Sequence, residues 1–249
     1  MASRGEIEAY LNTLLDVGRF RDYGPNGLQV EGKPEVHKII SGVTASRALI
    51  AAAIEAQADA ILVHHGLFWK GHDGRVTGWL KQRLELLLAH GINLFAYHLP
   101  LDAHAELGNN AQFGARLQWH AESRFGEQEL GFIGAAAEPM TAPELGALLL
   151  RHLGRVPTVV VGDGRPLRRM AWCTGGAQGY FEAAIAAGAD AYVTGEISEP
   201  QAHYARETGV AFFACGHHAS ERFGAPAVAQ HVALKFGLEH RFIEIDNPA

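Results

Sequence analysis

The sequence predicts an α/β fold with mostly parallel sheets, built as two related halves. Three observations predict it: a strand–helix rhythm along the chain, a segment that repeats within it, and polar clusters placed just after apolar runs. Short apolar runs alternate with alanine-rich amphipathic stretches, the pattern of strand–helix–strand units. The chain opens on a helix through Leu15, because Ser3-Arg-Gly-Glu6 has capping-box spacing, in which each side chain can satisfy the other residue's backbone N–H. Strands follow at 39–43, 60–63 and 92–97, with helices at 47–57 and 79–90 between them. The polar stretch 121–130 (AESRFGEQEL) marks a boundary between an N-terminal domain, 1–125, and a C-terminal domain, 126–249. The second series places strands at 131–137, 158–161, 169–173, 191–194 and 210–215, and helices at 142–153, 181–187 and 200–207. An alternating strand over 240–245 closes the chain, and these last segments are candidates to pack back on the first domain.

The repeat is visible at a shift of 131 residues. VTASRALIAAAIEAQADAILVHH (43–65) aligns with TGGAQGYFEAAIAAGADAYVTGE (174–196), matching Ala52, Ala53, Ile54, Ala58, Asp59 and Ala60 with Ala183, Ala184, Ile185, Ala189, Asp190 and Ala191. A second pair, HGINLFAY (90–97) and TGVAFFAC (208–215), follows in the same order. Two ordered matches indicate two related strand–helix–strand halves.

Ligands in open α/β sheets bind beyond the carboxyl ends of the strands, and three polar clusters sit there. They are His64-His65-Gly66, His98-Leu-Pro-Leu-Asp102-Ala-His104, and His217-His218-Ala-Ser-Glu221. Adjacent histidines on a regular strand face opposite ways, but a turn at Gly66 lets both rings face one cavity. His217 and Glu221 share a face if a helix starts at Gly216. Neutral imidazole and carboxylate suit Zn, Fe, Mn, Co or Ni better than Ca or Cu(I). His64, His65, Asp102, His217 and Glu221 are too many for one structural zinc and suit two ions that share a carboxylate and keep positions open for water. His98, His104 and His218 are candidates to support those ligands. His37, His72, His90, His120, His152, His203, His231 and His240 are read as solvated or structural, and Cys215 as core.

Other chemistry finds less support. There is no G-x-x-x-x-G-K-[ST], hence no P-loop. Gly175-Gly176-Ala-Gln-Gly179 reads as a tight turn, with an anion contact as the alternative. Ser198 and Ser220 lack nucleophile-elbow context, and Trp69, Trp79 and Trp119 read as packing or subunit contacts. Hydrophobic residues at 48 % and charged residues at 19 % exclude a disordered chain. A net charge of −6 argues against a nucleic-acid or anionic-membrane surface. Cys173 and Cys215 cannot form a disulfide framework. No apolar stretch approaches the ~20 residues of a membrane span, and the N-terminus does not read as a signal peptide. A cytoplasmic protein is expected. The compositional outlier is histidine, 14 residues against 2 Cys, 3 Met and 4 Trp.

DYGPNGLQVEG (22–32), SGVTAS (41–46), ADAILVHHGLFWKG (58–71), HLPLDAHAELGNNAQ (98–112), AWCTGG (171–176), VTGEISE (193–199) and GHHASE (216–221) span almost the whole chain. With these stretches the sequence resembles the short bacterial members of the GTP cyclohydrolase I type 2 homologue family, dinuclear-metal proteins related to yeast NGG-interacting factor three. The resemblance implies two interlinked α/β domains of similar topology and a homohexameric ring, a dimer of trimers with metals facing its interior. It implies two divalent ions per subunit on His64, His65, Asp102, His217 and Glu221, with Glu221 shared. It also implies hydrolysis of a small-molecule substrate by activated water, with the guanine ring of GTP opened at C8 and formate lost. His98 or His104 is the candidate proton shuttle. The alternatives are another metallohydrolase, a peptidase or phosphoesterase, and a non-enzymatic metal-binding ring scaffold.

Overall fold

The computed structural model describes residues 2–249. The chain divides into two compact units, one formed by residues up to 108 together with 224–246, the other by 109–223 with 247–249.

The first unit starts with a two-residue strand β1 (Ala2–Ser3) and helix α1 (Arg4–Leu14). The capping box is present: Ser3 Oγ accepts from the Glu6 N–H at 3.2 Å, and Glu6 Oε2 accepts from the Ser3 N–H at 2.9 Å. Then come β2 (Gly27–Val30), β3 (Glu35–Val36), β4 (Lys38–Thr44), α2 (Arg47–Glu55), β5 (Ala60–His65), α3 (Gly78–His90), β6 (Asn93–Ala96) and α4 (Leu99–Ala103). The chain re-enters this unit later with α10 (Gly224–Phe236) and β13 (Glu239–Phe242). The sheet order is β13-β4-β5-β6-β2, parallel except for β2, which runs antiparallel to β6. Its central strands read as continuous apolar runs because both faces are covered. Ile39, Leu62, Phe95 and Tyr97 pack with Ile7, Leu11, Val228 and Val232 on one side. Their alternates Ile40, Ile61, Val63 and Leu94 pack with Leu49, Ile50 and Leu87 on the other.

The second unit holds α5 (Asn109–Arg116), β7 (Trp119–Phe125), β8 (Gly131–Met140), α6 (Ala142–Leu153), β9 (Thr158–Val160), β10 (Leu167–Trp172), α7 (Phe181–Ala186), β11 (Ala191–Thr194), α8 (Glu199–Thr208), β12 (Ala211–Ala214) and α9 (His217–Glu221). Its sheet order is β7-β8-β10-β11-β12-β9. Strands β10, β11 and β12 are parallel, while β7, β8 and β9 join antiparallel. Phe113, Trp119, Phe132, Leu149, Trp172 and Phe213 build one core face. Phe181 and Tyr192, stacked on each other, and Phe212, edge-on to both, pack on the other.

The units divide at 108/109, not at 125/126. The polar stretch at 121–130 is the solvent-facing part of β7 and its turn into β8, an edge strand inside the second unit. One sequence feature, solvated polarity, describes both a linker and an edge strand.

The sheets share a four-strand pattern: β4-β5-β6 with antiparallel β2, and β10-β11-β12 with antiparallel β9. The repeat-matched aspartates do the same work in each. Asp59 accepts the backbone N–H groups of His37 and Lys38, and Asp190 those of Arg168 and Arg169. Each thereby pins the start of the neighbouring strand.

Candidate metal centre

In the first unit, β5 carries its apolar run directly into His64 and His65. His64 is fully buried, and its Nδ1 lies 3.1 Å from the Tyr97 carbonyl oxygen. A carbonyl only accepts, so Nδ1 carries the proton and Nε2 the lone pair. That Nε2 is 3.6 Å from Asp102 Oδ1, on α4. His65 is the last residue of β5, and its ring lies near that of His64, with centroids 4.5 Å apart. His65 Nδ1 is 3.2 Å from Thr44 Oγ1 at the end of β4.

His98 follows β6 and precedes α4, and its ring lies 4.9 Å from His64 and 5.7 Å from His65. One nitrogen from each of His64, His65 and His98 falls within 4.8 Å of the others, a spacing fit for a shared cation. Asp22 holds His98 in place. Its carboxylate accepts from His98 Nδ1 at 2.7 Å, from Asn26 Nδ2 at 2.9 Å and from the Leu99 N–H at 2.9 Å. Burial pushes the Asp22 carboxyl up, but these hydrogen bonds and the His98 charge outweigh it and hold its pKa below the usual range. Asn26 Oδ1 takes the backbone N–H of His98 at 2.7 Å. Trp69, expected as packing, stands edge-on to His98 with centroids 5.0 Å apart. His104 serves the turn after α4, its Nδ1 accepting the N–H groups of Glu106 and Leu107.

In the second unit, α9 begins at His217 after Gly216, whose φ of 100° favours glycine. One helical turn puts His217 Nε2 3.1 Å from Glu221 Oε2. His217 Nδ1 lies 2.6 Å from Glu196 Oε1, just beyond β11. Burial opposes a charge on His217, but Glu221 and then Glu196 outweigh it and push the ring up to about 9. Two carboxylates thus favour positive charge at this ring.

The glycine-rich turn after β10 is a cradle for the Glu221 carboxylate. A Cβ on Gly175 would lie 1.8 Å from Glu221 Oε1, and its φ of +74° again favours glycine. Ser220 locks the turn, its Oγ accepting from the Gly175 N–H and donating to the His217 carbonyl, each at 2.9 Å. Thr194 Oγ1 and the Gly195 N–H both donate to the Gly175 carbonyl. Burial pushes the Cys215 thiol up to about 12, so it stays a protonated core residue. His218 is buried, its backbone N–H donating to the Ala249 carbonyl. Elsewhere His203, His231 and His240 bond Glu199, Tyr10 and Ser41.

The donors each unit brings together are therefore His64, His65, His98 and Asp102 in the first, and His217 and Glu221 in the second. Sequence reasoning missed the carboxylates behind the rings, Asp22 as a partner of His98 and Glu196 as a partner of His217. Asp22 is 76 residues from His98, and no local spacing connects them.

The family model described as Duf34/NIF3 (NGG1p interacting factor 3) matches residues 2–248. Curated relatives named GTP cyclohydrolase 1 type 2 homolog include one from Pseudomonas aeruginosa, 51 % identical over 238 residues and covering 94 % of both chains. Another, from Neisseria meningitidis, is 51 % identical over 249 residues and covers 100 % of both. Among solved structures, protein ybgI, described as of unknown function, superposes with a TM-score of 0.96 at 44 % identity over 100 % of both chains. TTHA1606 from Thermus thermophilus gives 0.91 at 33 % identity, also over 100 % of both. From its first described residue nearly to its last, the chain belongs to the Duf34/NIF3 family.

Proposed function

We propose that this protein holds two divalent metal ions per subunit on His64, His65, Asp102, His217 and Glu221, with Glu221 shared, and acts as a metal-dependent hydrolase. The single observation that carries the reading is the anchoring of the buried His64 ring: Nδ1 bonds a carbonyl, so Nε2 offers its lone pair beside the Asp102 carboxylate. The donor chemistry fits Fe, Zn, Mn, Co or Ni. The room at Gly175, which a Cβ would fill, fits a carboxylate kept clear for a cation.

Two such ions supply Lewis acidity and make water more acidic near neutral pH. The chain's own residues bind, orient and move protons. Asp102 and Glu221 balance positive charge, and Gly175 with Ser220 holds Glu221 in place. His98, held through Nδ1 by Asp22, presents Nε2 beside the other two rings and is placed to hold or pass a proton. The candidate reaction is GTP cyclohydrolase-type ring opening of a nucleotide, after the name the curated relatives share. We place the protein in the cytoplasm as a homohexamer, a dimer of trimers without nucleic-acid or membrane partners. No helix among the described residues is long and apolar enough to cross a membrane.

The test is metal-loaded protein incubated with GTP while formate release and pterin-precursor formation are followed. Formate from GTP supports the reading. Turnover of peptides or phosphoesters without GTP keeps the hydrolase and replaces the substrate. A loaded protein inert across all panels contradicts the hydrolase and leaves a metal-binding scaffold. Light scattering near six subunits supports the ring, and a monodisperse monomer at micromolar concentration contradicts it.

A further inference from the structure

We infer that Glu196 is the positioning residue for His217: its carboxylate accepts the Nδ1–H of that ring and so presents the Nε2 lone pair, beside Glu221, to a divalent cation. The inference rests on the metal reading above and gives a role to a residue outside its five donors.

Glu196 Oε1 lies 2.6 Å from His217 Nδ1, and an ionised carboxylate has only acceptors. The proton of the neutral imidazole must then sit on Nδ1, which fixes the tautomer and the ring's rotation together. Nε2 faces Glu221 Oε2 at 3.1 Å, where a cation can take the place of a proton.

Glu196 is itself held. Gln178 Nε2 donates to Glu196 Oε2 at 3.3 Å, and the Gln178 carbonyl accepts from Gln201 Nε2 at 3.2 Å. The backbone forces the meeting, because a Cβ on Gly195 would lie 2.6 Å from His217 Cα. The end of β11 therefore runs against the start of α9, and the next side chain, Glu196, reaches the ring. Glu196 is also the repeat partner of His65, 131 residues on. One strand-end position supplies a donor in the first unit and steers one in the second. Carboxylates bonded to ligating histidines fix the ring and raise its basicity, and losing such a partner typically costs about 10–100-fold in metal affinity.

The experiment is a competition titration of Co²⁺ against a chromophoric chelator on the full-length, metal-stripped protein, with the visible Co²⁺ spectrum recorded. Circular dichroism verifies the fold of each variant. Glu196→Ala should weaken the affected ion about 10–100-fold and shift the spectrum. Glu196→Gln keeps an acceptor for Nδ1–H and should recover most of the loss. Gln178→Ala, which removes a hydrogen bond to Glu196 and another to Ser198 but leaves the Glu196 carboxylate present, should fall between wild type and Glu196→Ala. Nitrogen shifts of His217 in the metal-free protein should show the Nδ1 bond lost in Glu196→Ala.

His217→Ala separates the two levels. If it leaves Co²⁺ affinity unchanged, the metal reading itself fails. If it weakens binding while Glu196→Ala matches wild type in affinity and spectrum, the positioning role alone is overturned. Loss of one ion from Glu196→Ala at saturating Co²⁺ also overturns it, because Glu196 would then be a ligand.

Discussion

Both sheets contain three adjacent parallel strands, β4-β5-β6 and β10-β11-β12, with an antiparallel strand, β2 or β9, beside the last of them, and both place polar residues just past those parallel strands. The first unit ends in three neighbouring imidazoles, His64, His65 and His98, with one carboxylate, Asp102, near His64. The second ends in one imidazole, His217, between two carboxylates, Glu196 and Glu221. Positions that organise the backbone match, as Asp59 and Asp190 do. Positions at the strand ends differ: Thr44 in the first unit stands where Gly175 stands in the second, and His65 where Glu196 stands. The scaffold is thus separable from the chemistry. A repeated strand frame supplies equivalent ends, and what each end carries is set by a few side chains.

The sharpest break of this comparison is at Thr44 and Gly175. Gly175→Ala forces a Cβ into the Glu221 carboxylate at a positive φ. The backbone strain alone costs about 1–3 kcal/mol, and the displaced Glu221 should lose an ion. Thr44→Ala at the matched position removes one hydrogen bond to His65, worth about 0.5–1.5 kcal/mol, and should keep both ions. Thermal unfolding with metal analysis checks both variants, and equal effects would dissolve the distinction.

Asp22→Ala comes next, because it strips the acceptor from His98, Asn26 and Leu99 at once. A loss of about 1–3 kcal/mol is expected. The Asp22 carboxyl is held low in the folded state. Its stabilisation is therefore fully present above an unfolded value of about 3.9 and is lost as pH falls through the folded one. Urea midpoints across acid pH should show that decline in wild type and not in Asp22→Ala.

His217 gives the opposite sign. Its folded pKa is raised to about 9 in the metal-free protein. Its stabilisation is therefore present below about 6.5 and lost as pH rises through about 9. A metal must displace that proton. Affinity should gain about tenfold per pH unit up to about 9 from this ring and then level off. A titration flat across pH 7–9 would remove His217 from the donor set.

The smallest contrast lies in the scaffold. Asp59 is buried and also pairs with Lys33 at 2.7 Å, whereas Asp190 is only partly buried. Asp59→Ala should cost more than Asp190→Ala, both within about 1–3 kcal/mol. The reverse order in chemical denaturation would break their equivalence.

Much of this was legible in the sequence. The alternation of apolar runs with alanine-rich stretches marked β5, β6, β11 and β12, and Ser3 to Glu6 marked the start of α1. The His64-His65 pair and the His217 to Glu221 spacing marked side chains that meet. The limits have physical causes. Polarity at 121–130 could not separate an edge strand from a linker. The tie between Glu196 and His217 forms only when β11 and α9 are packed together. Asp22 and the Tyr97 carbonyl act across sequence gaps that only the sheet closes.

The central proposal is that His64, His65 and Asp102 of the first unit and His217 and Glu221 of the second hold two ions in each chain. Elemental analysis of protein purified anaerobically, in wild type, Asp102→Ala and Glu221→Ala, tests it most directly, with circular dichroism to verify the fold. The account predicts two ions per chain in wild type and fewer in both folded variants. Two ions retained in either variant would contradict it.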